Sequence, residues 1–101
     1  MQVAVLGYGT VGKGVYAMLQ NAQGLEPGPV LVRPGKEKES FQTSDLDAIL
    51  SDPAVGAVAE VMGGIEPAFS YAKRVLESGK HFVTSNKALC AAHGLELAAL
   101  A

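Results

Sequence analysis

The chain of 101 residues has no tryptophan and only one cysteine, and each scarcity excludes something. With Cys90 alone, no internal disulfide can form, which fits a reducing compartment and leads us to expect a cytoplasmic protein. Cys90 lies in the apolar stretch KALCAA and is expected to be a small core residue. No metal site is expected either, since no Cys/His spacing suits one and His81 and His93 stand twelve residues apart. A basic block is missing too: 8 Lys and Arg against 10 Asp and Glu give a net charge of −2. That argues against bulk attraction to nucleic acid or to an anionic membrane. No apolar run reaches the roughly 18 residues of a membrane span. The N-terminus shows no charged segment leading into a long apolar one, so no secretion signal is read.

What is present is apolar mass, 49% of the residues, enough for one packed domain over 1–101. QVAVL is a short β-branched run that ends at Gly7, as a buried parallel strand does. From Thr10 the apolar positions Val11, Val15, Met18 or Leu19, and Ala22 recur at helical spacing, with Gly24 as a stop. PVLVR predicts a second strand, KEKE a solvated loop, and SFQTS a brief edge strand. DLDAIL predicts a short helix capped by Ser44 or Asp45. AVGAVAEVM predicts a strand ended by Gly63-Gly64, and Pro67 to Gly79 a helix with an apolar stripe. HFVTS predicts the last strand, and NKALCAAHGLELAALA a final helix with a break at Gly94. Such alternation specifies an α/β fold: a parallel sheet with right-handed crossovers and helices on both faces.

The run VAVLGYGTVGKGV carries Gly7-x-Gly9-x-x-Gly12 between a strand and a helix. In that context the glycines have separate duties: Gly7 for the turn, Gly9 for close approach of a pyrophosphate, Gly12 for helix-on-strand packing. The helix start offers free N–H groups to the phosphates, and Lys13 adds positive charge. A Rossmann-like dinucleotide site is therefore expected, with strand order 3-2-1-4-5, one strand short of the six-stranded form. The position about 20 residues on, where an acid would bind the ribose of NAD, holds Val32-Arg33 instead. Arg33 suits a 2′-phosphate, aided by Lys36 and Lys38, and so points to NADP or to a site taking NADP or NAD. An ordinary solvated arginine is the alternative.

Two further features fall where open α/β sheets hold their ligands, at strand carboxyl ends. Gly63-Gly64 in EVMGGIEP would lie against the nicotinamide half, or serve only as a tight turn. VTSNKAL gathers Thr84, Ser85, Asn86 and Lys87, and Lys87 would reach the same crevice for proton transfer or to hold a substrate oxygen. A helix-start lysine in water is the plainer reading.

Taken together, VAVLGYGTVGKGV, VLVR, EVMGGIEPA and VTSNKAL resemble the cofactor-binding domain of homoserine dehydrogenase, in order and along essentially the whole chain. The resemblance implies reversible hydride transfer between L-homoserine and L-aspartate 4-semialdehyde with NAD(P), in threonine, methionine and isoleucine biosynthesis. By matched motif positions, Tyr8, Thr10 and Val11 would contact the pyrophosphate region, with Gly7, Gly9 and Gly12 forming the turn. Arg33 would meet the 2′-phosphate, Gly63 and Gly64 the nicotinamide, Thr84 and Ser85 its flanks. Lys87 would be the active-site lysine. The chain departs from the pattern at Gly56, where Asp is frequent, at Ser85, where Ala is common, and at Pro34-Gly35, where an acid is frequent.

Members of that family are several times longer, with substrate and dimer-forming parts in a following domain. The resemblance therefore implies the N-terminal part of a larger homo-oligomeric enzyme, with no nucleic-acid or membrane partner. The 101 residues alone are expected to bind dinucleotide without turning over homoserine, and to self-associate through the HFVTS edge and the LELAALA face. The rival from another class is a non-catalytic redox-sensor module that uses the glycine turn but not Lys87. Other semialdehyde, imine or sugar oxidoreductases and a decayed structural domain are the remaining rivals.

Overall fold

Five parallel strands and four helices make up the computed structural model, which describes residues 1–101. In chain order they are β1 (Gln2–Leu6), α1 (Thr10–Gln20), β2 (Glu26–Leu31), β3 (Gln42–Thr43), α2 (Leu46–Leu50), β4 (Val55–Glu60), α3 (Ala68–Glu77), β5 (His81–Thr84) and α4 (Lys87–Leu100). The sheet order is β3-β2-β1-β4-β5, as the Rossmann-like reading expected. All four pairings are parallel.

Alternate residues of β1 feed opposite faces. Ala4 and Leu6 join Leu46, Ile49, Val58 and Val75 under α2 and α3. Val5 joins Leu19 and Val30 under α1. Helices thus cover both faces, and each fully buried aliphatic side chain contributes about 1.5–3 kcal/mol. In α3 the buried positions Ala68, Ala72 and Val75 form the stripe that the helical period produces. Of these, Ala68 and Ala72 meet Leu89 and Leu97 of α4 in the α3–α4 contact.

Three local readings change, and the choice of helix cap is settled. The second strand starts at Glu26, ahead of PVLVR, because Glu26 N–H donates to the Met1 carbonyl at 2.9 Å and pairing with β1 begins there. Pro27 and Pro29 are tolerated because β3 pairs only with Val30 and Leu31, leaving their outer edge without a partner strand. The helix cap is Asp45, whose carboxyl accepts from the N–H groups of Asp47 and Ala48. α4 runs unbroken through Gly94. Cys90 is exposed and not a core residue, since α4 turns Leu89 and Leu97 inward and carries Cys90 off that face.

The expected unpaired edge is present. β5 has β4 as its one neighbour, and Val83 and Leu100 stand exposed beside it, with Leu95 exposed on α4. No helix is long and apolar enough to cross a membrane.

Candidate dinucleotide site

The sheet order reverses between β1 and β4, and the turns leaving their carboxyl ends frame a groove of about 900 Å³. On one side lie Gly7, Tyr8, Gly9 and Lys13, and on the other Val61, Met62, Gly63 and Glu66. Arg33, Lys36 and Lys38 close the end next to β2 and β3.

The three glycines of the first turn differ in what surrounds them. Gly7 has φ +106°, a region that L side chains avoid. A Cβ on Gly12 would run into the Gly7 carbonyl, 2.9 Å from its carbon, so α1 sits on the strand end only because that side chain is absent. A Cβ on Gly9 would meet nothing within 4 Å. Packing therefore demands Gly7 and Gly12 but leaves the space over Gly9 open.

Gly9 occupies the N-cap position of α1 and gives no side-chain cap. The first amide of the helix with a backbone partner is that of Lys13, bonded to the Gly9 carbonyl at 2.9 Å. No acidic residue sits in the first turn. The helix start thus presents N–H groups and a partial positive charge to the groove, which suits an anion. Thr10 and Val11 are exposed at this start, outside the residues that line the groove.

Lys13, Arg33, Lys36 and Lys38 outnumber Glu39 and Glu66 along the lining, so the groove is positive in a chain of net charge −2. None of these cations is ion-paired within the protein, because the two pairs present are Arg74–Asp47 and His93–Glu96. Arg33 is exposed just past β2, where the chain turns and Lys36 N–H donates to the Arg33 carbonyl at 3.0 Å. Tyr8 forms an aromatic wall with Tyr16 and Phe41, its ring edge-on to both at 6.2 and 5.6 Å. Glu66 is held below the usual carboxyl range by the Ser70 N–H and then by the Ser70 hydroxyl.

The second turn is built differently. Glu60, the last residue of β4, is fully buried. Its Oε2 accepts from the amides of Met62 at 2.7 Å and Gly63 at 3.3 Å. Its Oε1 accepts from the Thr84 hydroxyl at 2.6 Å. Thr84 Oγ1 in turn accepts from Asn86 N–H at 2.9 Å. Asn86 caps α4 by accepting from Leu89 N–H and donates its side-chain amide to the Gly64 carbonyl. Gly63 and Gly64 have φ of +79° and +76°, which only glycine adopts without strain.

A dinucleotide fits the first turn. The open space over Gly9, the uncapped helix start and the unpaired cations answer a diphosphate in shape and charge. Arranged along the groove are Gly7, Tyr8, Gly9, Arg33 and Gly63. Gly64, Thr84, Ser85 and Lys87 lie beyond its lining, joined to it through the Asn86–Gly64 bond, with Ser85 and Lys87 exposed. Glu60 was not singled out by sequence reasoning, and Asn86 was named only as a member of the VTSNKAL polar cluster. Glu60 is the one charge inside AVGAVAEVM, which is the signal that marks it.

The family model for the NAD-binding domain of homoserine dehydrogenase matches residues 7–101. The chain belongs to that family. Among homoserine dehydrogenases, that of Lactococcus lactis is 37% identical, the alignment covering all of this chain and 28% of the relative. That of Synechocystis is also 37% identical, over 96% of this chain and 25% of the relative. The crystal structure of a homoserine dehydrogenase from Thiobacillus denitrificans superposes with a TM-score of 0.84 at 32% identity, covering 99% of this chain and 26% of that one. The chain thus spans about a quarter of the length of the homoserine dehydrogenases it matches. Within the homoserine dehydrogenase family match fall both turns, the Arg33 corner and the whole Glu60 network.

Proposed function

We propose that the chain is the cofactor-binding part of a homoserine dehydrogenase, interconverting L-homoserine and L-aspartate 4-semialdehyde with NADP or NAD in threonine, methionine and isoleucine biosynthesis. The observation that carries this is the uncapped start of α1 facing open space over Gly9 in a groove lined by unpaired cations. The relatives' name supplies homoserine as the substrate.

In this reading the amides that open α1, at Thr10 and Val11, hold the diphosphate, with Gly7 and Gly12 fixing the turn. Tyr8 walls the ribose side. The Arg33 fork takes a 2′-phosphate, which favours NADP. When bound, the cofactor accepts or gives a hydride at its nicotinamide. Gly63 and Gly64 offer it a surface free of side chains, and Ser85 with the strand end at Thr84 flanks it. The Thr84 hydroxyl is occupied by Glu60 and Asn86, so Thr84 serves through its backbone and methyl group. Lys87 holds the substrate oxygen and carries its proton, remaining the catalytic residue of the proposal. The enzyme works in the cytoplasm as a homo-oligomer, the exposed β5 edge being one surface open to further chain. Because Lys87 lies outside the groove lining, a non-catalytic redox sensor stays as a second reading. Oxidation of homoserine by a protein carrying this domain separates the two.

Calorimetric titration of the chain with NADPH and NADH tests cofactor binding. NADPH is expected to bind more tightly, and Arg33→Ala to erase the difference, a loss of about 1.5–3 kcal/mol for hydrogen bonds to a charged group. Absence of heat with either dinucleotide, or equal weakening of both by Arg33→Ala, overturns the assignment.

A further inference from the structure

Glu60 and Asn86 are the buried polar side chains of this fold, and both belong to one set of hydrogen bonds. A carboxyl group is costly to bury, and here no cation offsets it: its partners are two amides and a hydroxyl. The set closes on itself. From Glu60 Oε2 it passes to the Met62 and Gly63 amides, and the chain leads on to the Gly64 carbonyl. From there Asn86 returns it through its own amide to Thr84 Oγ1, and the Thr84 hydroxyl returns it to Glu60 Oε1. Glu60 and Thr84 stand side by side in the β4–β5 register, so the ring bridges the turns that leave two adjacent strands.

We propose that Glu60 is a positioning residue which, through Thr84 and Asn86, locks the Gly63-Gly64 turn to the turn preceding Lys87, so that the two move as one piece. The assignment rests on the dinucleotide reading above for its effect on ligand binding, but the coupling itself is a property of the unliganded chain. Each turn alone is a short loop held by few contacts. Joined, they hold the glycine surface and the lysine at one separation before any ligand arrives, and a preorganised site loses less freedom on binding. The ring lies on the nicotinamide side and touches neither Gly9 nor Arg33, so it acts on one half of the cofactor.

The test uses the chain with Thr84→Val, which keeps the shape of Thr84 and removes its hydroxyl, and Thr84→Ser, which restores it. In the unliganded protein, amide hydrogen exchange of Met62 and Gly63 is expected to quicken in Thr84→Val, although Thr84 bonds neither amide, and to return towards the original rate in Thr84→Ser. Affinity for NADPH is expected to fall about tenfold in Thr84→Val, the worth of leaving a buried acceptor and amide unpaired. Affinity for ADP-ribose 2′-phosphate, which lacks nicotinamide, is expected to stay the same. Glu60→Gln, which puts a donor where the ring needs two acceptors, gives the same pattern in smaller measure and serves if Thr84→Val does not fold. Unchanged exchange at Met62 and Gly63 overturns the coupling. Equal weakening of both ligands overturns the positioning role. If the original chain binds neither ligand, the dinucleotide reading falls, while the exchange result still decides the ring.

Discussion

Two strand-to-helix turns lie next to each other at the carboxyl edge of the sheet, and they use their amides in opposite ways. The turn after β1 leaves the first amides of α1 without a capping side chain. The turn after β4 bonds its amides at Met62 and Gly63 to its own buried carboxyl. Both are glycine-rich and both feed helices, so glycine content alone does not make an anion site. An anion needs free N–H groups, and the first turn leaves the amides that open α1 without partners. In the second turn the Met62 and Gly63 amides are already satisfied internally, which suits that part of it to lie beside an uncharged ring and not a phosphate.

The strongest way to break this contrast is at the first turn. Gly12→Ala forces a Cβ against the Gly7 carbonyl, and overpacking of this kind costs about 1–3 kcal/mol. In a thermal melt, each kcal/mol lowers the midpoint by about 4–8 °C for a domain of this size. Gly9→Ala is its partner experiment, since the added methyl meets nothing in the protein. Stability should change by no more than about 0.5 kcal/mol. NADPH affinity should fall on the order of tenfold or more, each tenfold being about 1.4 kcal/mol. Retained affinity in Gly9→Ala would mean the open amides are not where the diphosphate sits.

At the second turn a smaller effect of another origin is expected. Gly63→Ala meets no atom within 4 Å, yet must adopt φ +79°. The left-handed backbone costs about 1–2 kcal/mol, visible as a lower midpoint in urea, while binding of ADP-ribose 2′-phosphate stays the same. Loss of that ligand would show the second turn to be part of the anion seat and dissolve the contrast.

The smallest effect concerns Glu66, across the groove from the glycine turn. Folding lowers its pKa, so its ionised form adds stability above the pH at which the unfolded chain's glutamate titrates. That contribution is lost as pH falls through the lowered folded value. Ser70→Ala removes the hydroxyl but keeps the backbone N–H, the larger cause, so the Glu66 titration followed by carboxyl-carbon NMR should move part of the way up. No movement would assign the whole effect to the N–H.

Much of this architecture was readable along the chain. Short β-branched runs, helical stripes and the glycines between them are local signals, and they yielded the elements and the sheet order. The misread places are those where a neighbour decides. Cys90 sits in an apolar stretch, but α4 turns it outward because its buried face is set by α3. Glu26 reads as a loop residue and becomes strand because β1 lies beside it. Glu60 reads as one charge in an apolar run, and its role exists only once Thr84, 24 residues later, is laid alongside it.

By itself the sequence determined the strand–helix alternation, the glycine-bearing turn after β1 and the family to which the chain belongs, because each depends on residue types at short, fixed spacing. Only the tertiary structure decided which turn keeps its amides free and which closes on a buried carboxyl. That choice depends on which side chain of an adjacent strand stands opposite, and pairing between strands far apart in the chain is settled by packing.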